Sequence, residues 1–234
     1  MSPSKPANTS EESTARRIVV FRQSSTLPPL SIRRNFAWYL SGNVTQAVSR
    51  LLVLVLLIKL GGLADTGRWV AAVALCAPIF AAFELGLRNL LVCDVRRRFL
   101  FQDYFSIRVV GASTACLVAP LAALVYTVNA AFVGLVFVVA AGRMFDSLAD
   151  IAYAVLQREE RMDRIGAGFL IRYGLSLVGA AGVLALGGGV FAAACADALA
   201  AAAVCFRWAL PHASQLLAGM ALAEETAEAG PRTS

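Results

Sequence analysis

The chain has 234 residues, of which 59% are hydrophobic and 15% charged, and its formal net charge is +6. Soluble domains carry about 25% charged residues, so this composition argues against a soluble protein. Basic residues flank apolar segments and do not alternate with exposed aromatics, which argues against nucleic-acid binding. His212 is the only histidine, so the sequence has few side chains from which to build a zinc site or a Ser-His-Asp triad. We therefore expect no metal, no cofactor and no enzymatic activity.

The first 34 residues are polar and rich in Ser, Pro and Arg. They contain no apolar core followed by a small-residue cleavage site, so they do not read as a signal peptide. Because such a composition cannot bury an apolar core, residues 1–34 are predicted to form a disordered cytoplasmic arm.

Long charge-free stretches follow. The residues between Arg108 and Arg143 carry no charge, and polar residues 127–129 interrupt them. A spanning helix needs about 20 apolar residues, so this stretch accommodates two helices joined by a tight turn. Hydrocarbon offers no water to the backbone, so each crossing must be helical. The sequence predicts an all-α, polytopic transmembrane bundle over residues 35–210. Its six spans are expected at about residues 35–60, 67–92, 107–126, 130–156, 165–186 and 190–207.

Glycine and proline punctuate these spans. Gly61-Gly62 and the three glycines at 187–189 predict turns, and Pro78 predicts a kink inside span two. After Pro211 the sequence turns Ala- and Glu-rich, so residues 211–234 are expected to fray.

The distribution of Lys and Arg predicts the orientation. One side of the predicted topology holds only Lys59 and Arg68. The other side holds the arginines of the N-terminal arm together with Arg96, Arg97, Arg98, Arg108, Arg158, Arg161, Arg164 and Arg207. Because cytoplasmic loops are rich in Lys and Arg, both termini are expected in the cytoplasm.

Ionisable residues inside a membrane are costly and usually face a bundle interior or a wet cavity. Arg50 lies in the middle of span one and shares a helix face with Gly42, Gln46 and Ser49. Two interpretations are open. The face either lines a solvated path, or it is a packing face of small residues with a satisfied interhelical network.

Span two carries Glu84 and Arg88 at a spacing of four residues. On one continuous helix they can pair with each other and neutralise both charges. The alternative is a direct role with a substrate or a coupling proton.

Span four places Arg143, Asp146 and Asp150 on one helical face. Either the cluster faces the central volume, or Arg143 pairs with Asp146. Asp197 is alone in span six and is expected to find a basic partner on another helix, with Arg50 and Arg88 as the candidates.

Four stretches together, and in this order, resemble a known family of transporters. They are Trp38–Asn43 with Leu57–Gly61, Ala77–Arg88 with Asp94, Asp103–Arg108, and Asp146–Met162. They are similar to the polysaccharide-biosynthesis flippases of the multidrug/oligosaccharidyl-lipid/polysaccharide exporter superfamily. These are the O-antigen and capsule-type transporters of bacterial inner membranes, and the resemblance covers about residues 35–211.

The resemblance implies two six-helix lobes around a cavity that opens alternately to each side. It implies a cargo of undecaprenyl-diphosphate-linked oligosaccharide, moved from the cytoplasmic to the periplasmic leaflet of the inner membrane. Arginines of the cavity would bind the diphosphate and sugar acids. The implied substrate-binding residues are Gln46, Ser49, Arg50, Arg88 and Arg143, and the implied coupling or ion-pair carboxylates are Glu84, Asp146, Asp150 and Asp197.

The sequence holds only one such lobe. Alternating access needs two halves, so we expect a truncated product, or a lobe that pairs with itself or with another chain. Besides the glycan and membrane lipids, a second lobe is therefore an expected partner. Two other functions stay open: a small-molecule or cation antiporter of the same superfamily, and a non-transporting scaffold in a glycan-assembly complex.

Overall fold

The computed structural model describes residues 31–93 and 101–228, with side chains up to residue 219. Across these ranges the chain is helical, and the predicted all-α class is confirmed. The helices are α1 (Ile32–Leu56), α2 (Leu63–Glu84), α3 (Leu87–Cys93), α4 (Phe101–Tyr126), α5 (Ala130–Arg158), α6 (Met162–Ala185), α7 (Val190–Val204) and α8 (Leu210–Glu228). Two π-helical turns, Leu57–Gly61 and Cys205–Ala209, follow α1 and α7. The expected arm over residues 1–30 and the basic loop over 94–100 lie outside the described residues.

Six helical segments are long and apolar enough to cross a membrane, as the sequence predicts. They are Ile32–Gly61, Leu63–Cys93, Phe101–Tyr126, Ala130–Arg158, Met162–Ala185 and Val190–Gly219. Large apolar side chains point outward from them, including Val178 at 71% and Leu199 at 70% exposed. Such an apolar exterior is stable in hydrocarbon and unstable in water.

The turns between spans have local causes. The Asn129 side chain accepts hydrogen bonds from the backbone N–H groups of Ala131 and Phe132, and so caps the start of α5. Gly62 and Gly187 have φ values of 85° and 80°, which only glycine adopts without strain. These turns lie where the sequence predicts them.

The second span has a break that the sequence analysis did not anticipate. Helix α2 continues through Pro78, where the predicted kink stays a prediction, and the span breaks at Leu85 and Gly86, whose φ values are 50° and 61°. Two consecutive left-handed residues cannot continue a right-handed helix, so α3 starts on a new axis. For Leu85, which has a Cβ, this conformation costs about 1–3 kcal/mol and must be held by its surroundings.

The expectation of a frayed tail from residue 211 is wrong over the described part. Helix α8 runs from Leu210 to Glu228 and continues span six. Ala213 is buried, and Leu216 and Leu217 pack against the core cluster that contains Ile151. These residues form a short apolar face, and its burial keeps the helix ordered.

The helices surround a central opening. Helix α1 packs along α6, α6 packs on α7, and α7 packs on α5. Helix α2 packs on α4 and α5, but α1 and α2 do not pack along their length. The open side of the bundle therefore lies between α1 and α2, with α5 and α7 behind it.

Candidate functional site

A cavity of about 620 Å³ lies behind this open side. Helices α1, α2, α3, α5, α6 and α7 line it, whereas α4 contributes no lining side chain. All the site residues inferred from the sequence line this one cavity: Gln46, Ser49, Arg50, Glu84, Arg88, Arg143, Asp146, Asp150 and Asp197. Their shared location is a finding, and their roles in binding or coupling stay predictions.

One wall of the cavity depends on a close approach of α1 to α6. A Cβ atom on Gly166 would lie 2.4 Å from the Trp38 carbonyl oxygen, and one on Gly42 would lie 3.2 Å from the Gly166 Cα. Side chains larger than hydrogen would push the two helices apart, because 2.4 Å is far inside van der Waals contact. Small residues let membrane helices approach closely in this way.

Polar bonds reinforce the same wall. The Ser49 hydroxyl donates to the main-chain carbonyl oxygen of Tyr173 at 2.7 Å, and the Gln46 amide donates to the Tyr173 hydroxyl. For these two residues the structure supports the interhelical network over the solvated path. Arg50, on the same face, lies in the cavity with its guanidinium carbon 5.7 Å from the Tyr173 ring centroid.

Arg172 of α6 joins three helices behind the cavity. Its side chain is 6% exposed and binds both carboxylate oxygens of Asp146 on α5, at 2.8 and 3.1 Å. Its third nitrogen donates to Asp197 on α7 at 2.9 Å, and the Ser176 hydroxyl also donates to Asp197. We call these four residues the central network. A bidentate guanidinium–carboxylate pair is among the strongest polar contacts a protein makes.

The central network corrects two predictions. The partner of Asp197 is Arg172, not Arg50 or Arg88, and Asp146 pairs with Arg172 and not with Arg143. The sequence analysis did not single out Arg172, although it lies inside predicted span five. An arginine at that depth is itself a signal of a functional or structural site.

A second network lies nearer the end of the bundle that holds the α5–α6 turn. Arg108 of α4 has a side chain only 2% exposed and donates to the Asp150 carboxylate at 3.0 Å. It also donates to the main-chain carbonyl oxygens of Glu84 at 3.0 Å and Ser147 at 3.1 Å. Arg108 was expected to mark a cytoplasmic loop, but it is buried and caps the carboxyl end of α2.

Arg88 of α3 completes this second network. It donates to the Asp150 carboxylate, and to the Gln157 side chain at 2.8 Å. The expected Glu84–Arg88 pair does not form, because the break at Leu85–Gly86 removes the helical spacing that would bring the two together. The Glu84 carboxylate is half exposed and lies 4.0 Å from Arg108.

Two cavity arginines differ from the rest. Within the described part of the chain, Arg50 and Arg143 make no ion pair with any carboxylate. Both side chains line the cavity, Arg50 from α1 and Arg143 from α5. Asp146, Asp150 and Asp197, by contrast, each bind an arginine. Arg50 and Arg143 are therefore the cavity arginines whose guanidinium groups no described carboxylate occupies.

Comparison with known proteins finds one distant similarity. No family model matches the chain, and no solved structure matches it. The chain is 24% identical over 145 residues to the capsular polysaccharide biosynthesis protein CapF of Staphylococcus aureus. The match covers 62% of this chain but only 36% of that protein, so the chain matches about a third of its relative's length.

Proposed function

We propose that this chain is a six-helix lobe of a flippase that moves undecaprenyl-diphosphate-linked oligosaccharide across the bacterial inner membrane for polysaccharide biosynthesis. The distant similarity to CapF supports the biosynthetic context. The observation that carries the proposal is the pair of unpaired arginines, Arg50 and Arg143, facing one cavity within the apolar spans.

The energy of these two side chains favours an anionic cargo. An arginine at the centre of a spanning helix costs about 2.5–3.5 kcal/mol on insertion scales, unless a counter-charge or water offsets it. A diphosphate offers several oxygens that guanidinium groups bind in parallel pairs. Arg50 and Arg143, which line the same cavity, would then both bind it.

The size and shape of the cavity fit part of such a cargo. Ligand sites typically measure about 300–1,000 Å³, and 620 Å³ accommodates a diphosphate and an adjoining sugar. The remaining glycan and the polyprenyl chain would leave through the open side between α1 and α2. Alternating access needs a second lobe on that side, supplied by a further segment, a second copy or another protein. The Lys and Arg distribution supports an orientation with both termini in the cytoplasm.

The geometry weighs against the two other functions. A cation antiporter needs carboxylates that are free to bind its ion, but Asp146, Asp150 and Asp197 already bind arginine. This leaves Glu84, which is half exposed, as the one cavity carboxylate among the described residues without a close arginine. A scaffold has no need of two unpaired arginines inside a membrane cavity. Both alternatives therefore rank below an anion-binding transporter.

Binding in nanodiscs tests the proposal. Arg50→Gln and Arg143→Gln should each weaken binding of the undecaprenyl-diphosphate-linked glycan about 10- to 100-fold, the range expected for one lost bond between charged groups. The matched control is Arg68→Gln, because Arg68 pairs with Asp65 outside the cavity. Equal affinities in all three variants would refute the cargo-binding role of the cavity.

Transport is tested separately in liposomes. The purified monomer should not move labelled polyprenyl-diphosphate glycan across the bilayer, because one lobe cannot alternate its access. Protein-dependent transfer by the monomer, lost in Arg50→Gln, would show that one lobe suffices.

A further inference from the structure

The short helix α3 is attached to its surroundings in an unusual way. Its only described covalent link is the left-handed pair Leu85–Gly86, which sets it on a new axis from α2. It buries two apolar side chains, Leu87 and Leu91. Val92 also packs against the same core. The polar anchor of α3 is Arg88, whose guanidinium binds Asp150 and Gln157 of α5.

Two arginines share the Asp150 carboxylate, and they differ in exposure. Arg108 is 2% exposed and also binds the carbonyl oxygens of Glu84 and Ser147, so it holds the end of α2 on α5. Arg88 is 26% exposed and lines the cavity. An anion in the cavity can therefore reach Arg88 but not Arg108.

We propose that Arg88 is an exchangeable latch: a diphosphate in the cavity replaces Asp150 on Arg88, and α3 is thereby released from α5. This inference rests on the proposed function. Charge is conserved in the exchange, because phosphate oxygens replace carboxylate oxygens on Arg88. Asp150 keeps its bond to Arg108, so no buried carboxylate is left unpaired.

The latch limits the movement to one part of the second span. Helix α2 stays in place, because Arg108 binds the Glu84 carbonyl oxygen independently of Arg88. The left-handed pair Leu85–Gly86 then acts as the hinge, since it already lies outside the helical conformation. Cargo binding is thus converted into movement of α3 alone.

Hydrogen–deuterium exchange in nanodiscs, read by mass spectrometry over residues 87–93, tests the latch. Without ligand, Arg88→Gln should exchange about tenfold faster than the wild type in this segment, with α6 unchanged as a check on folding. The matched control is Arg68→Gln, because Arg68 lies outside the cavity and its loss should leave residues 87–93 unaffected. Undecaprenyl diphosphate in the bilayer should accelerate wild-type exchange about tenfold and should leave Arg88→Gln without further change.

A second arm adds inorganic pyrophosphate to the buffer instead of the lipid. Acceleration by pyrophosphate shows that the diphosphate alone opens the latch, and acceleration by the lipid only shows that the lipid-linked form does. If either probe binds, and binding is lost in Arg50→Gln, but residues 87–93 do not respond, the latch is overturned and the proposed function stands. If neither probe binds, both the proposed function and the latch that rests on it are overturned. The latch is also overturned if residues 87–93 of unliganded Arg88→Gln exchange at the wild-type rate.

Discussion

The polar residues of helix α1 fall into two groups. Where α1 meets α6, glycines allow backbone contact, and the polar groups of Gln46 and Ser49 are satisfied by Tyr173. Arg50 lies on the same polar face but lines the cavity without a carboxylate partner among the described residues. One helix thus combines a seam that holds the fold together with a charged side chain that is left available.

The same division holds for the arginines of the bundle. Arg108 and Arg172 are buried and bind carboxylates on neighbouring helices, so they belong to the closed part. Arg50 and Arg143 face the cavity and bind no carboxylate in the described ranges. Arginines at membrane depth therefore have two roles in this protein. Those that are buried and bonded to carboxylates hold helices together, and those without such partners are available to a ligand in the cavity.

The largest expected effect comes from breaking the central network. Arg172→Gln should lower the free energy of unfolding in mixed micelles by about 3 kcal/mol, the lower end for a broken buried ion pair, because it leaves the partly buried Asp146 and Asp197 without their arginine. Arg207→Gln is the matched control, since Arg207 is exposed. Equal stability of the two variants would contradict a structural role for Arg172.

The next effect tests the seam. Gly166→Ala should destabilise the protein by about 1–3 kcal/mol, because its Cβ would meet the Trp38 carbonyl oxygen. Gly174→Ala on the same helix has nothing within 4 Å of the new Cβ and should leave the thermal unfolding temperature unchanged or raise it. A seam that tolerates both changes equally would not be close-packed.

The smallest expected effect lies on the open side. Arg143→Gln should change the free energy of unfolding by about 0.5 kcal/mol or less, because no ion pair is lost and the cavity admits solvent. The same variant should lose glycan affinity, so stability and binding are affected separately. If Arg143→Gln destabilised the protein nearly as much as Arg172→Gln, the division of the arginines into two sets would be wrong.

Much of the site was predictable from the sequence. Charged residues within apolar spans are rare and costly, so Arg50, Arg143 and Asp197 could be assigned to a shared interior without knowledge of the packing. The six spans follow from the lengths of the apolar stretches. These inferences need only local composition.

The pairing of those charges was not predictable, because it depends on which helices become neighbours. Asp197 binds Arg172, which is 25 residues away in sequence. The expected pairing of Glu84 with Arg88 assumed a continuous helix, and the break at Leu85–Gly86 invalidates the assumption. The sequence signals that break through Gly86, because glycine adopts a positive φ without strain.

The central network also has a consequence for how the chain enters the membrane during synthesis. Asp146 of α5 and Arg172 of α6 emerge one after the other, so these two helices can enter as a hairpin whose charges already neutralise each other. Asp197 emerges last, after its two partners Arg172 and Ser176 have already been synthesised. A ribosome stalled before α7 would hold a hairpin in which Arg172 already pairs with Asp146. If α7 were inserted without α6, Asp197 would enter the lipid without its arginine partner.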